Sequence, residues 1–119
     1  MTEIPVYRIP LECLYYNVAN GRFAKEYLNI KKRLERELVP EDPKDEKEIE
    51  RMLREQSIPK TNWLKNNIRD LGQEEPGIIT HDGYVINGNR RMSVLKLLVN
   101  ENSKFGYMDV GRLPENVSE

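Results

Sequence analysis

One stretch constrains the fold more than any other: DGYVINGNRRMSVLKLL, residues 82–98. The turn formers Asp82 and Gly83 lead into Tyr84, Val85 and Ile86, whose β-branched and aromatic side chains favour a strand. After Gly88 the apolar residues Met92, Leu95 and Leu98 recur at every third position. A β-prone run that gives way to helical spacing across a glycine predicts strand, tight turn, helix. Just upstream, Ile78, Ile79 and Thr80 meet the His81-Asp82-Gly83 turn, so the strand has a hairpin partner beside it. The anomaly is Arg90 and Arg91. The first turn of a helix carries unpaired N–H donors and the positive end of the macrodipole, where cations are disfavoured.

An anion would resolve the anomaly. A helix start delivered by a glycine turn directly after a strand points backbone N–H groups at one spot, which accepts phosphate, sulfate or carboxylate. Arg90 and Arg91 would face that anion while Gly88 lets the backbone approach it closely. The alternative is an ordinary ion pair with Glu74 or Glu75, worth about 1 kcal/mol. Spacing alone leaves the two readings open.

The remainder of the chain supplies a frame for this unit. Residues 6–9 and 11–15 are strand-like and are separated by Pro10, which suits an edge strand or a break. Turn formers over 17–22 precede a helix that begins at Ala24, carries Tyr27, Leu28, Leu34 and Leu38 mainly on one face, and ends before Pro40. A second helix starts after Asp42-Pro43, an N-cap followed by proline at the first helical position, with Ile49, Met52 and Leu53 as its buried stripe. A third follows Thr61, with Trp63, Leu64, Ile68 and Leu71 inward and Gly72 as its stop. A last strand is expected over 105–110.

Charge limits the function. Residues 25–56 hold 9 Lys/Arg and 10 Asp/Glu, a mixed run that forms solvated helix faces, so this helical pair is expected to protrude. The net charge of −1 excludes the wide basic footprint of a protein that grips nucleic acid by its backbone, and any anion site must be local. Cys13 is the only cysteine and His81 the only histidine, so neither an internal disulfide nor a Cys/His metal site is expected. No apolar run approaches the roughly 18 residues of a membrane span, and the N-terminus lacks the order of a signal peptide, which makes the expected setting cytoplasmic, with no membrane partner. Length allows a single domain, and Ser118-Glu119 has the look of a further helix start, so the chain is expected to be a piece of a longer protein, the alternative being a frayed natural terminus.

The string GYVINGNRRMSVLKLL resembles the signature of the ParB/sulfiredoxin-like superfamily, in which a strand runs into a G-x-R-R box at a helix start. Two further stretches fit in order. IPLECLYYNVANGRF resembles the early segment of a ParB N-terminal-like domain, with Asn17, Asn20 and Arg22, and WLKNNIRDLGQEEPGIIT resembles the helix, glycine and strand that precede the box. The resemblance implies one α+β domain over 1–119, a small mixed β-sheet with packed helices, in which about 25–56 form a charged helical insertion.

In that family the arginine box binds the phosphates of a nucleoside triphosphate, CTP in ParB proteins and ATP in sulfiredoxin. Carried over by position, Gly88, Asn89, Arg90 and Arg91 form the phosphate site, Gly72, Gln73 and Gly77 belong to a neighbouring wall, and Arg22 is the arginine of the early segment. The implied cofactor is therefore CTP or ATP, with or without Mg²⁺. Sulfiredoxin needs a cysteine where Asn89 stands, which excludes sulfinic acid reduction, and ParB proteins usually carry glutamate there, so at most weak NTPase or nuclease activity is expected. The expected function is a nucleotide-dependent switch in a DNA-associated protein of a plasmid, phage or other mobile element, able to pair with itself and reaching DNA through regions beyond Glu119. One rival is a nuclease, NTPase or nucleotide-dependent kinase of the same fold, for which only Asp82, Glu74 and Glu75 offer carboxylates. Another is a protein-interaction module that uses 25–56. His81 is expected to serve the turn, and Tyr15, Tyr16 and Tyr107 to pack on the sheet rather than stack on a base.

Overall fold

The computed structural model describes residues 4–17 and 24–115, so Arg22, Asn20 and Ser118-Glu119 lie outside the described residues. In chain order the elements are β1 (Val6–Pro10), a 3-10 turn (Leu11–Cys13), β2 (Tyr15–Tyr16), α1 (Ala24–Leu34), α2 (Pro43–Glu55) and α3 (Ile58–Leu71). The hairpin β3 (Gly77–Ile79) and β4 (Tyr84–Asn87), α4 (Asn89–Leu98), a second 3-10 turn (Ser103–Phe105) and β5 (Tyr107–Arg112) follow. The fold is α+β. Its five strands form one mixed sheet in the order β1-β5-β3-β4-β2, antiparallel at β1–β5 and β3–β4, parallel at β5–β3 and β4–β2. Pro10 closes β1 at the sheet edge, where a missing N–H is tolerated.

The strand, turn and helix read from residues 82–98 are present, and they organise the interior. α4 packs between α2 and α3. It buries Met92, Val94, Leu95 and Leu98 in one core with Val85, Met108 and Val110 of the sheet, Ile49 and Leu53 of α2, and Ile68 of α3. Side chains of this size contribute about 1.5–3 kcal/mol each when withdrawn from water, so the seams around α4 carry much of the stability.

Local signals explain α2. The Asp42 side chain accepts from the Lys44 N–H at 2.9 Å and Pro43 occupies the first turn. The connection from α1 is tied down by Asp45, which is buried and accepts 2.7 and 2.8 Å hydrogen bonds from both terminal nitrogens of Arg36 and a 2.8 Å bond from the Val39 N–H. The Arg36 guanidinium, with help from that N–H, holds the carboxyl down at about 2.

Three expectations are corrected by packing. α1 stops at Leu34, well short of Pro40, because Glu35 turns the chain into the left-handed region at φ 56°, and Leu38 is buried from outside the helix while Leu28 is half-exposed. α3 begins at Ile58 rather than after Thr61, because the Ser57 hydroxyl caps the Lys60 N–H at 3.3 Å and Pro59 sits in the first turn. Its inward face is therefore Thr61, Leu64 and Ile68. Trp63, one residue and about 100° round the helix from Leu64, is 66% exposed, and Leu71 is 67% exposed. Finally, the charged pair does not simply protrude: Ile49 and Leu53 are almost fully buried, so α2 is a wall of the core, and among the charged helices only α1 is peripheral. No helix among the described residues is long and apolar enough to cross a membrane.

Candidate functional site

The start of α4 is built on two glycines, Gly88 just after β4 and Gly77 at the start of β3. Gly88 adopts φ 107°, which favours glycine, and a Cβ there would lie 2.9 Å from Met108 Cε and 3.3 Å from both Gly77 Cα and an Arg91 terminal nitrogen. At Gly77 a Cβ would meet Met108 Cε at 2.6 Å and the Asn87 carbonyl oxygen at 2.8 Å. The turn is thus packed glycine against glycine, and the Arg91 guanidinium folds back over it. Among the described residues no side chain caps the helix.

The neighbouring Asn89 is a bracket. It is buried, its Nδ2 donates to the Val85 carbonyl at 2.9 Å, and its Oδ1 accepts from the Asn17 N–H at 3.2 Å. The side chain assigned to phosphate by resemblance thus joins β4 to the end of β2. Gln73 behaves similarly. Its Oε1 accepts from the Asp109 N–H at 2.7 Å and its Nε2 donates to the Asp109 and Glu75 carbonyls at 2.8 Å each. The amide thereby extends the β5 ladder just before β3 begins, and Gly72, at φ 78°, ends α3 immediately before it.

The two arginines have opposite fates. Arg90 turns to α2, where Nε donates to the Leu53 carbonyl at 3.2 Å and a terminal nitrogen donates to Gln56 Oε1 at 2.6 Å. Its charge sits at the carbonyl-bearing end of α2, where the macrodipole favours a cation. The anomaly of an arginine at one helix start is answered, for Arg90, by the end of another helix. Arg91 turns the other way, towards α3. Its side chain is 20% exposed, it makes no hydrogen bond among the described residues, and its ion pair with Glu75 is long, at 3.9 Å, to a carboxylate that is 83% exposed. Burial pushes the Arg91 guanidinium below its usual value, against the opposing charge of Glu75.

Arg91 forms one wall of a cleft of about 380 Å³ between α3 and the loop that enters β3, with Trp63, Leu64, Asn67 and Ile68 on α3 and Glu74 and Glu75 on the loop. Sequence reasoning placed Trp63 in the core and passed over Asn67. Their spacing of four residues marks them as neighbours on one helix face, but which face points to a cleft depends on the packing of α3 against α4.

Other candidates lie elsewhere. Asp82 accepts from the Thr80 hydroxyl in the β3–β4 turn, at the far end of the hairpin from Gly88, and the His81 carbonyl accepts from Arg112 at 2.6 and 2.9 Å. Of the three carboxylates considered for catalysis, only Glu74 and Glu75 reach the cleft. Tyr16 is buried, with its hydroxyl donating to Glu50 at 2.9 Å, and Tyr15 packs on Tyr84 with ring centroids 5.3 Å apart. Among the described residues no group of three or more His, Cys, Asp or Glu side chains is placed to hold a metal ion. No protein-family model, curated protein or solved structure matches the chain.

Proposed function

We propose that the cleft at the start of α4 binds a nucleotide through its phosphate, and that the chain is a ParB-like nucleotide-binding domain that serves as a switch in a DNA-associated protein. The observation that carries this reading is Arg91: a side chain only 20% exposed, without a hydrogen bond among the described residues, whose guanidinium opens on a cleft. Among the described residues no buried side-chain nitrogen lacks a partner, so the donors of Arg91 face the cleft, where a phosphate would satisfy them bidentately in place of water. Glu75 is the present counter-ion and is weakly held.

The switch follows from how the loop is anchored. Gln73 fixes the loop to β5, whereas Glu75 meets Arg91 only at 3.9 Å. A phosphate that takes the guanidinium releases Glu75 and changes the surface beside the cleft, which is the differential interaction a two-state response requires. Asn89 positions the turn instead of meeting phosphate, and Arg90 belongs to the α2 contact.

Calorimetric titration with CTP, ATP, GTP and UTP, with and without Mg²⁺, tests the reading. At least one nucleotide is expected to bind the native chain and to bind Arg91→Ala about tenfold or more weakly, the loss of a charge-assisted contact of about 1.5–3 kcal/mol. Absence of binding by all four, or equal binding by Arg91→Ala, would contradict it.

A further inference from the structure

We infer that α3 supplies the base-recognition wall of the same cleft, with the Trp63 indole as the stacking platform and the Asn67 amide as the group that reads the base edge. The inference rests on the nucleotide reading above and adds which part of the nucleotide lies where.

Trp63 and Asn67 are one helical turn apart, so their side chains lie side by side, and both line the same cleft as Arg91. Tryptophan is highly buried on average, yet Trp63 is 66% exposed and contributes nothing to the core. An exposed indole on the wall of a concavity leaves a flat apolar surface available to a planar ring. The Asn67 amide is half-buried and makes no hydrogen bond among the described residues. A carboxamide presents a donor and an acceptor together, which matches the paired donors and acceptors along a base edge. Leu64 and Ile68 supply an apolar floor, and the volume of about 380 Å³ lies at the lower end of the roughly 300–1,000 Å³ typical of small-molecule sites. A flat ring, a polar edge reader beside it and a cation lining one cleft fit a nucleotide, with the base on α3 and the phosphate at α4.

The chain's single tryptophan makes the test direct, because all indole emission comes from Trp63. The native chain is titrated in parallel with ATP, CTP, GTP, UTP and inorganic tripolyphosphate, followed by indole fluorescence and by calorimetry. The nucleotide that binds is expected to change Trp63 emission and to bind about tenfold or more tightly than tripolyphosphate, since base–aromatic stacking is lost in the inorganic ligand. Trp63→Phe should retain most of that advantage, and Trp63→Ala should fall to the tripolyphosphate level with an unchanged thermal melt. Asn67→Ala should narrow the difference between ATP and CTP without altering tripolyphosphate affinity. Equal affinity for nucleotide and tripolyphosphate, or nucleotide binding that Trp63→Ala leaves intact, would overturn the base wall while leaving the phosphate site standing. Failure of every ligand to bind would overturn both.

Discussion

α4 is flanked by two seams that differ in how their polar groups are settled. Against α2, Arg90 donates to the Leu53 carbonyl and to Gln56, and Lys96 meets Glu46 at 3.1 Å and Glu50 at 3.5 Å while lying over the Tyr16 ring. Against α3, near the same helix start, Arg91 has a long contact with an exposed carboxylate, and Asn67 makes no side-chain hydrogen bond among the described residues. Neighbouring arginines thus do different work: one closes a structural seam, the other lines an open one. A closed seam contributes stability, because its buried polar groups are satisfied within the fold. An open one leaves polar groups that would gain most from a ligand.

The contrast breaks down if the platform common to both seams is damaged. Asn89→Glu replaces an amide that donates to the Val85 carbonyl with a buried carboxylate facing that carbonyl. We expect a loss of about 3 kcal/mol or more in urea-unfolding stability, from an unpaired buried acceptor and a desolvated charge. A variant as stable as the native chain would show that Asn89 faces a ligand instead of the sheet.

The α2 side can be weakened without touching the cleft. Asp45 has a folded-state pKa of about 2 against an ordinary value of 3.8, so its contribution is fully present above the ordinary value and is lost as pH falls through about 2. At neutral pH Asp45→Asn should cost about 2 kcal/mol, given hydrogen bonds to a charged group. The difference from the native chain should shrink as unfolding is measured at progressively lower pH. A constant difference down to pH values near 2 would detach the stability from the carboxylate charge.

The smallest effect sharpens the α3 side. Glu75→Gln removes the counter-ion that competes with an incoming phosphate, and should tighten anion binding by a few-fold, in line with about 0.2–1 kcal/mol for an exposed ion pair. Weaker binding by Glu75→Gln would instead make Glu75 a ligand-facing group.

What could be read in the sequence followed from local physics. The β3–β4 hairpin, the Gly88 turn, α4 and the Asp42-Pro43 start of α2 are each specified within a few residues, by turn chemistry, capping and apolar period. The Ser57-Ile58-Pro59 start of α3 carries the same signals, a hydroxyl cap and a proline in the first turn, ahead of the expected start after Thr61. Side-chain partners were not legible. Arg90 meets Leu53 and Gln56 from 37 and 34 positions away, Asn89 meets Asn17 from 72, and Gln73 meets Asp109 from 36. A string such as N-R-R specifies which groups are available at a helix start, but the helices packed on either side determine which arginine is occupied. For the same reason an apolar stripe that included Trp63 was indistinguishable from one that excluded it until the inward face of α3 was fixed by α4.

The most direct measurement of the division between the seams is a paired one on Arg90→Ala and Arg91→Ala, each followed by thermal unfolding and by calorimetric titration with tripolyphosphate. Arg90→Ala is expected to lose about 1.5–3 kcal/mol of stability and keep its anion affinity. Arg91→Ala is expected to melt within about 0.5 kcal/mol of the native chain, because lost packing is offset by removal of a poorly solvated cation, and to bind tripolyphosphate about tenfold or more weakly. The reverse pattern, with anion binding lost in Arg90→Ala and retained in Arg91→Ala, would contradict the assignment of one arginine to the fold and the other to the site.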